Sequence, residues 1–249
     1  RHIYHDMPFF RSALLVLLIV ITVSCASREE LDDTDRTQFF SQTQTEVHFD
    51  FIEHDVFPAA GSLYNTNGNF VGSCVLVTPL IAYTAAHCIQ LGDLKYAQFG
   101  HEKLLIEIQL IHKDYFTTGD DIGLLIFTSA SEHTPMPIVE NVEIIPPMFP
   151  INTIAHGSGD KKMSKETVFR YYGILKARPN EIIFLPLKTT VWFGDSGGAL
   201  VYRDEEGNCI LLGIITQFST MDGKIYECGA RRADNFNIYD DIWQPWIAK

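Results

Sequence analysis

Positive charge is scarce in this sequence, and so are long apolar runs, helical patterns and internal repeats. The chain carries 19 Lys and Arg against 31 Asp and Glu, which gives a formal net charge of −12 at pH 7. Because phosphate binding needs clustered Lys and Arg, this balance argues against a nucleic acid partner. The apolar run Ala13–Val23 is too short for a comfortable membrane-spanning helix, which needs about 20 apolar residues.

The same apolar run is typical of a secretory signal peptide, which we expect over residues 1–26. Arg11 is its basic flank, and Met7 is a candidate start. Two ways of processing remain open. Ordinary signal peptidase would discard Cys25 with the signal, whereas bacterial lipoprotein processing would make Cys25 the lipidated first residue, although Thr22 stands where such motifs prefer Leu. Under both, the sequence predicts a secreted, periplasmic or cell-envelope protein, with a lipid anchor in the membrane in the second case.

Cysteine is also sparse, with five in the whole chain. Once Cys25 leaves the fold four remain, and an exported chain with an even set of cysteines suggests two disulfides. The remaining four are Cys74, Cys88, Cys209 and Cys228.

Beyond the predicted signal, composition divides the chain into two parts. Residues 27–46 are polar and charged, and we interpret them as a flexible tether or propeptide. Over residues 47–249, short apolar runs recur between turn clusters, which favours an antiparallel β-sandwich or barrel. A length of this order suits one all-β unit. The one helix we expect is a final turn or two around residues 241–248.

Three short motifs carry the residue types of nucleophilic catalysis. Segment 84–88 (TAAHC) follows an apolar strand, segment 121–125 (DIGLL) opens another, and segment 194–198 (GDSGG) precedes a third. A serine hydroxyl is a weak nucleophile and needs a base within hydrogen-bond reach. The α/β-hydrolases also use a Gly-x-Ser-x-Gly segment, but they place their histidine after the serine, and no histidine follows His156. The esterase interpretation is therefore excluded.

In this chain order the three motifs resemble the signature segments of the trypsin/chymotrypsin family of serine proteases. The resemblance implies that Ser196 is the nucleophile, that His87 accepts and returns its proton, and that Asp121 orients the imidazole. It also implies an oxyanion hole made by the backbone N–H groups of Gly194 and Ser196. The implied reaction is endopeptidase cleavage of a protein or peptide substrate through an acyl-enzyme, without a metal or an organic cofactor.

The resemblance further implies the fold class, which is all-β with two antiparallel six-stranded β-barrels of the chymotrypsin type and a short C-terminal helix. We expect the two barrels at about residues 47–130 and 131–248 of the peptidase domain. In this family a disulfide clips the histidine loop, which here implies a bond between Cys74 and Cys88. Cys209 and Cys228 are then left as the second expected pair.

Substrate-binding residues are also implied by position in the family's pattern. Thr190 falls at the base of the primary pocket, and Thr216, Gln217 and Phe218 fall on the strand that pairs with the substrate. Because Thr190 carries no charge and Phe218 replaces a glycine at the pocket mouth, we predict against cleavage after Lys or Arg.

One departure from the family's pattern leads to an alternative function. The family's cleaved N-terminus, an Ile-Val-Gly-Gly segment, has no counterpart near residues 46–49. The buried carboxylate of Asp195 therefore needs another partner, since an unpaired buried charge is costly. An unusual cleavage, an internal group and a zymogen-like site remain open. The alternative is accordingly a catalytically silent or zymogen-like homologue that acts as a protein-binding module of the cell envelope.

Overall fold

Strands dominate the structure, a computed structural model that describes residues 51–53, 56–146, 149–157, 163–175, 178–186, 191, 193–221 and 224–246. The predicted signal peptide with Cys25, the tether and Thr190 lie outside these residues. In chain order the strands are β1 (Phe51–Glu53), β2 (Ala60–Asn65), β3 (Phe70–Thr78), β4 (Ile81–Thr84), β5 (Leu94–Phe99), β6 (Glu102–His112), β7 (Gly123–Phe127), β8 (Pro150–Ala155), β9 (Met163–Leu175), β10 (Arg178–Pro186), β11 (Ala199–Arg203), β12 (Cys209–Met221), β13 (Lys224–Arg232) and β14 (Trp243–Pro245).

Helix is confined to short pieces. Among the described residues the only α-helix is α1 (Ala86–Leu91), and single turns of 3-10 helix occur at Val142–Ile144 and Ala233–Asn235. Within the described ranges, every helix falls short of the length and apolar content that crossing a bilayer requires.

Strands β2 to β7 form a closed antiparallel barrel. Neighbouring strands follow the order β6-β5-β2-β3-β4-β7, and β7 returns to pair with β6, which completes the ring. Alternate side chains of each strand point inward. Large residues with almost no exposed surface fill the centre, among them Leu63, Leu76, Tyr83, Phe99 and Phe127. The prediction of an all-β fold is confirmed, and one six-stranded barrel is present.

The remaining strands form a second sheet with the order β1-β9-β10-β13-β12-β11-β8, in which β8 also pairs with β9. Side chains on both faces of β11 are buried. Along β11, Leu200 joins a cluster that includes Phe184 and Ile215, whereas Ala199 and Val201 join the cluster of the barrel. This alternation follows from the two-residue period of a strand, and it packs the second sheet directly against the barrel.

The last strand corrects the predicted C-terminal helix. Residues 243–245 form β14, which pairs with β6 so that Trp243 lies opposite His112. Pro245 has no N–H to donate, and it disfavours helical geometry at the residue before it. The backbone N–H of Trp246 donates to the carbonyl of Gln109 at 2.9 Å, which continues the strand pairing instead. At the other end of the described chain, β1 pairs with β9 of the second sheet.

The second expected disulfide, between Cys209 and Cys228, is wrong. Cys209 is the first residue of β12, and Cys228 lies opposite Phe218 near the other end of that strand. At about 3.3 Å per residue the two cysteines are on the order of 30 Å apart. Disulfides require Cα atoms within about 7 Å, so these side chains cannot meet. No disulfide joins Cys209 to Cys228.

Candidate active site

Strand pairing brings the histidine and aspartate motifs together. Strands β4 and β7 are antiparallel neighbours, and Thr84 at the end of β4 lies opposite Gly123 at the start of β7. The chain leaving β4 and the chain entering β7 therefore lie at the same rim of the barrel. Gly123 allows the close approach, because a Cβ there would lie 2.5 Å from the end of the Ile89 side chain in α1.

His87, in the first turn of α1, is held by both oxygens of Asp121. The imidazole Nδ1 lies 2.6 Å from Asp121 Oδ2, and the backbone N–H of His87 donates to Oδ1 at 2.9 Å. The two side chains are 25% and 18% exposed. With Nδ1–H facing the carboxylate, Nε2 is the ring atom left to exchange a proton with another group.

Burial, Asp121 and Cys88 together set the pKa of His87. Burial of the ring favours its neutral form, but the hydrogen bond to Asp121 and the neighbouring Cys88 outweigh that effect and raise the pKa of His87 to about 10. His87 therefore holds its proton at neutral pH, and its basic form becomes abundant only as the pH approaches 10.

The serine motif lies against the helix that carries His87. The carbonyl of Ser196 accepts a hydrogen bond from the backbone N–H of Ser73 at 2.8 Å, and the thiol of Cys88 lies 3.6 Å from the same oxygen. Cys88 follows His87 in α1, so the backbone of Ser196 is next to the histidine segment. The turn depends on glycine, since φ is +94° at Gly194 and +87° at Gly197.

The disulfide implied for the histidine loop is not formed, and the strand register gives the reason. Cys74 and Cys88 are both buried free thiols. The residue facing Cys88 is Gly72, where a Cβ would lie 2.8 Å from the Cys88 Sγ. Cys74 is two residues further along β3, which places it about 7 Å from Gly72 along the strand. Burial raises the pKa of the Cys74 thiol well above its usual value, and Cys88 adds to the shift, which keeps Cys74 protonated.

Gly72→Cys is expected to create the bond that Cys74 does not make. A Cβ on residue 72 would lie 3.8 Å from the Cβ of Cys88, the usual separation in a disulfide. Closing this loop should stabilise the fold by about 3 kcal/mol, less the strain of displacing the Ser196 carbonyl. Thiol titration of the denatured variant, without reductant, should find one thiol fewer than the wild type contains.

The control for this prediction is the double variant Gly72→Cys/Cys88→Ser, which should show no loss of thiols. A wild-type protein that already lacks a pair of thiols would contradict the free state of Cys74 and Cys88 and support the bond implied by the resemblance.

The predicted substrate strand lies beside the serine motif. The backbone N–H of Gly197 donates to the carbonyl of Ile215 in β12 at 2.8 Å. Thr216 is buried, with its hydroxyl donating to the carbonyl of Gly229 at 3.4 Å, and the exposed Gln217 donates its side-chain amide to Glu181.

Phe193 is a residue of this region that sequence reasoning missed. Its ring is 68% exposed, directly before Gly194, and it meets the ring of Phe218 edge to face with centroids 5.5 Å apart. The two aromatic side chains place an apolar surface next to Ser196. The only feature of the sequence that could have identified Phe193 as part of this region is its position directly before the GDSGG motif.

A buried ion network joins the aspartate loop to the second sheet. The guanidinium of Arg231 in β13 lies 3.9 Å from Asp120 and 3.8 Å from Glu181, and it donates to the carbonyl of Gly119. Asp120 is 6% exposed and also accepts from Asn180 at 3.2 Å. The network fixes the loop that delivers Asp121.

His112 has a structural role. Its ring is buried against Phe236 and Trp243, and Nδ1 accepts the backbone N–H of Asp114 at 3.2 Å. Nδ1 also lies near carboxylates of Asp114 and Asp120, but the Asp114 N–H already uses its lone pair, and Arg231 supplies the positive charge beside Asp120. These groups are satisfied by the protein itself.

Asp195, the residue before Ser196, is 2% exposed. Its backbone carbonyl accepts the N–H of Gly198 at 2.9 Å, which closes the turn around Ser196. Residues 46–49, where the family's cleaved terminus would fall, lie outside the described residues.

No known protein-family model matches the chain, and no curated protein matches it in sequence. The nearly all-β architecture with its closed six-stranded barrel is compatible with a chymotrypsin-like barrel. The contact of His87 with Asp121 and the location of Ser196 are therefore the basis for any statement about function.

Proposed function

We propose that this protein is a serine endopeptidase with His87, Asp121 and Ser196 as its catalytic triad. The observation that carries the proposal is the two-point contact of Asp121 with His87, through the imidazole Nδ1 and the backbone N–H. A carboxylate that binds a histidine in this way fixes both the ring orientation and the tautomer, as a general base requires. The Ser196 backbone, held against α1, supplies the nucleophile in the same region.

The finer fold assignment belongs to the same proposal. We infer that the second sheet is a second six-stranded barrel of the chymotrypsin type, because β8 pairs with β9 as well as with β11. The triad then lies where the two barrels meet, with His87 and Asp121 from the first and Ser196 from the second.

Catalysis proceeds in two steps in this proposal. Ser196 Oγ attacks the peptide carbonyl carbon while His87 Nε2 takes the hydroxyl proton, and His87 then gives that proton to the amine as the C–N bond breaks. Water repeats the sequence on the acyl-enzyme, releasing the acid and restoring Ser196. The N–H groups of Gly194 and Ser196 stabilise the negative oxygen in each tetrahedral intermediate. No step calls for a metal or an organic cofactor.

The substrate is a protein or peptide whose cleaved residue is not Lys or Arg. Phe193 and Phe218 give the site an apolar rim, and the residue implied for the base of the pocket, Thr190, carries no charge. The acidic net charge adds no affinity for nucleic acid, and the signal-like segment over residues 1–26 supports a location outside the cytoplasm, with a lipid on Cys25 if the lipoprotein route is used.

Labelling with a fluorophosphonate tests the proposal, since this probe phosphonylates only an activated serine. We expect labelling of the wild type, more rapid at pH 9.5 than at pH 7 because the pKa of His87 is about 10. Labelling should disappear in Ser196→Ala and persist in Ser219→Ala, which removes a serine of β12. The site of the adduct is read by mass spectrometry.

Absence of labelling at both pH values, in a wild-type protein with a cooperative unfolding transition, would reject the peptidase. That result would favour the catalytically silent or zymogen-like homologue that binds other proteins.

A further inference from the structure

Ser73, in the middle of β3, is buried at the point where the barrel meets the serine motif, and the triad does not include it. It is 1% exposed. Its backbone N–H donates to the carbonyl of Ser196 at 2.8 Å, and its own carbonyl accepts the hydroxyl of Thr84 at 2.8 Å. The main chain of Ser73 is thus fixed on both sides.

The hydroxyl of Ser73 makes a second connection to the same motif. Ser73 Oγ lies 2.9 Å from the carbonyl of Gly194, and it accepts the backbone N–H of His156 at 2.9 Å. A hydroxyl has one proton to donate. The His156 carbonyl is further away, at 3.4 Å, so the proton points to Gly194.

These contacts hold the two residues that would stabilise the oxyanion. The carbonyl of Gly194 is bound by the Ser73 side chain, and the carbonyl of Ser196 is bound by the Ser73 backbone. Gly194 has φ of +94°, a region that glycine enters freely and leaves freely. Without a partner for its carbonyl, rotation about Gly194 would turn its N–H away from the reacting oxygen.

We propose that Ser73 is a positioning residue that sets the oxyanion hole by holding the carbonyls of Gly194 and Ser196. This inference rests on the proposed function and deepens it. The anchor is internal, so it shapes the motif without cleavage of the chain. It acts through the backbone of Gly194, and Ser73 itself does not touch the substrate.

Ser73→Ala removes the hydroxyl and keeps the backbone bond to Ser196. Loss of one oxyanion donor costs about 10²–10³ in rate, and loss of a support for that donor should cost less, about tenfold in kcat, with KM unchanged. The inhibition constant of a peptide aldehyde, which forms a tetrahedral adduct, should weaken by a similar factor. Binding of the corresponding peptide amide at Ser196→Ala should not change when Ser73→Ala is added.

The matched control is Ser62→Ala. Ser62 lies directly opposite Ser73 in the pairing of β2 with β3 and is equally buried, but its hydroxyl points to the carbonyl of Gln98. This variant loses a buried hydroxyl from the same sheet, so kcat should stay within about twofold of the wild type. If Ser73→Ala fails to fold, Ser73→Cys is the alternative, because the thiol is close in size but a weak donor and acceptor. Its kcat should fall severalfold.

Hydrogen exchange over residues 193–200 tests the same inference without any activity. The amides of Gly197 and Gly198 are hydrogen-bonded in this turn, and we expect them to exchange about tenfold faster in Ser73→Ala than in Ser62→Ala. An unchanged exchange rate together with unchanged kcat would overturn the inference. If the wild type does not label with fluorophosphonate but exchange is still accelerated, the peptidase is rejected and the positioning of the turn by Ser73 stands.

Discussion

Asp121→Asn is expected to lower kcat by about 10⁴-fold while leaving the fold intact. The amide has the size of the carboxylate, so its oxygen can still accept the backbone N–H of His87. Its NH₂ group, however, cannot accept a proton from Nδ1, and the ring is driven into the tautomer that cannot take the Ser196 proton. Loss of the carboxylate also removes its hydrogen bond and its charge from the effects that raise the pKa of His87, so this pKa should fall below about 10.

Measurement of kcat against pH, for the wild type and for Asp121→Asn, provides a second test. In the wild type the rate should rise with pH as His87 loses its proton near pH 10, whereas the residual rate of Asp121→Asn should level off at a lower pH. Asp114→Asn removes a carboxylate from the same region without contact to His87 and should keep both the rate and the profile. A rate for Asp121→Asn within tenfold of the wild type would show that the His87–Asp121 contact is structural.

The proximity of the histidine and aspartate motifs could be predicted because it depends on local signals. Motifs at the end of one strand and the start of another could be recognised in the sequence, and the antiparallel pairing of Thr84 with Gly123 then brings them to one rim. The strands predicted at the aspartate motif and after the serine motif were also correct, as β7 and β11 show. Periodicity and turn residues were sufficient for these elements.

The errors concern contacts between distant parts of the chain. Nothing local to Trp243 shows that it pairs with the edge of β6. The resemblance implied a C-terminal helix there instead. The cysteine pairs were assigned from the count and the resemblance, but pairing depends on register. The register places Gly72 opposite Cys88, two residues away from Cys74, so the two cysteines do not face each other.

The same limit applies to the partners of single polar residues. Nothing local to Asp120 shows that Arg231, more than a hundred positions later, lies near its carboxylate. Ser73 gave no signal at all, since a serine in an apolar strand has no pattern that predicts which loop will cover it. Both residues support the site from outside the three motifs.

Gly197→Ala should be the most destabilising of these substitutions and should abolish activity. A Cβ at this position would lie 2.0 Å from the carbonyl oxygen of Ser73 and 2.4 Å from Thr84 Oγ1, and φ is +87°. Ser73 cannot move away, because its N–H and its carbonyl are bonded to Ser196 and Thr84. Backbone strain and overpacking together should cost on the order of 3–5 kcal/mol, measured as a lower urea midpoint at constant slope.

Gly207→Ala separates the two causes of that cost. Gly207 has the same φ of +87°, but nothing lies within 4 Å of a Cβ added there. This variant therefore carries the backbone strain alone, about 1 kcal/mol, and should retain full activity. The difference between the two variants measures how tightly the serine turn is pressed onto Ser73. Equal destabilisation of both would mean that the turn can withdraw from β3, and the oxyanion donors could then not be held in place by Ser73.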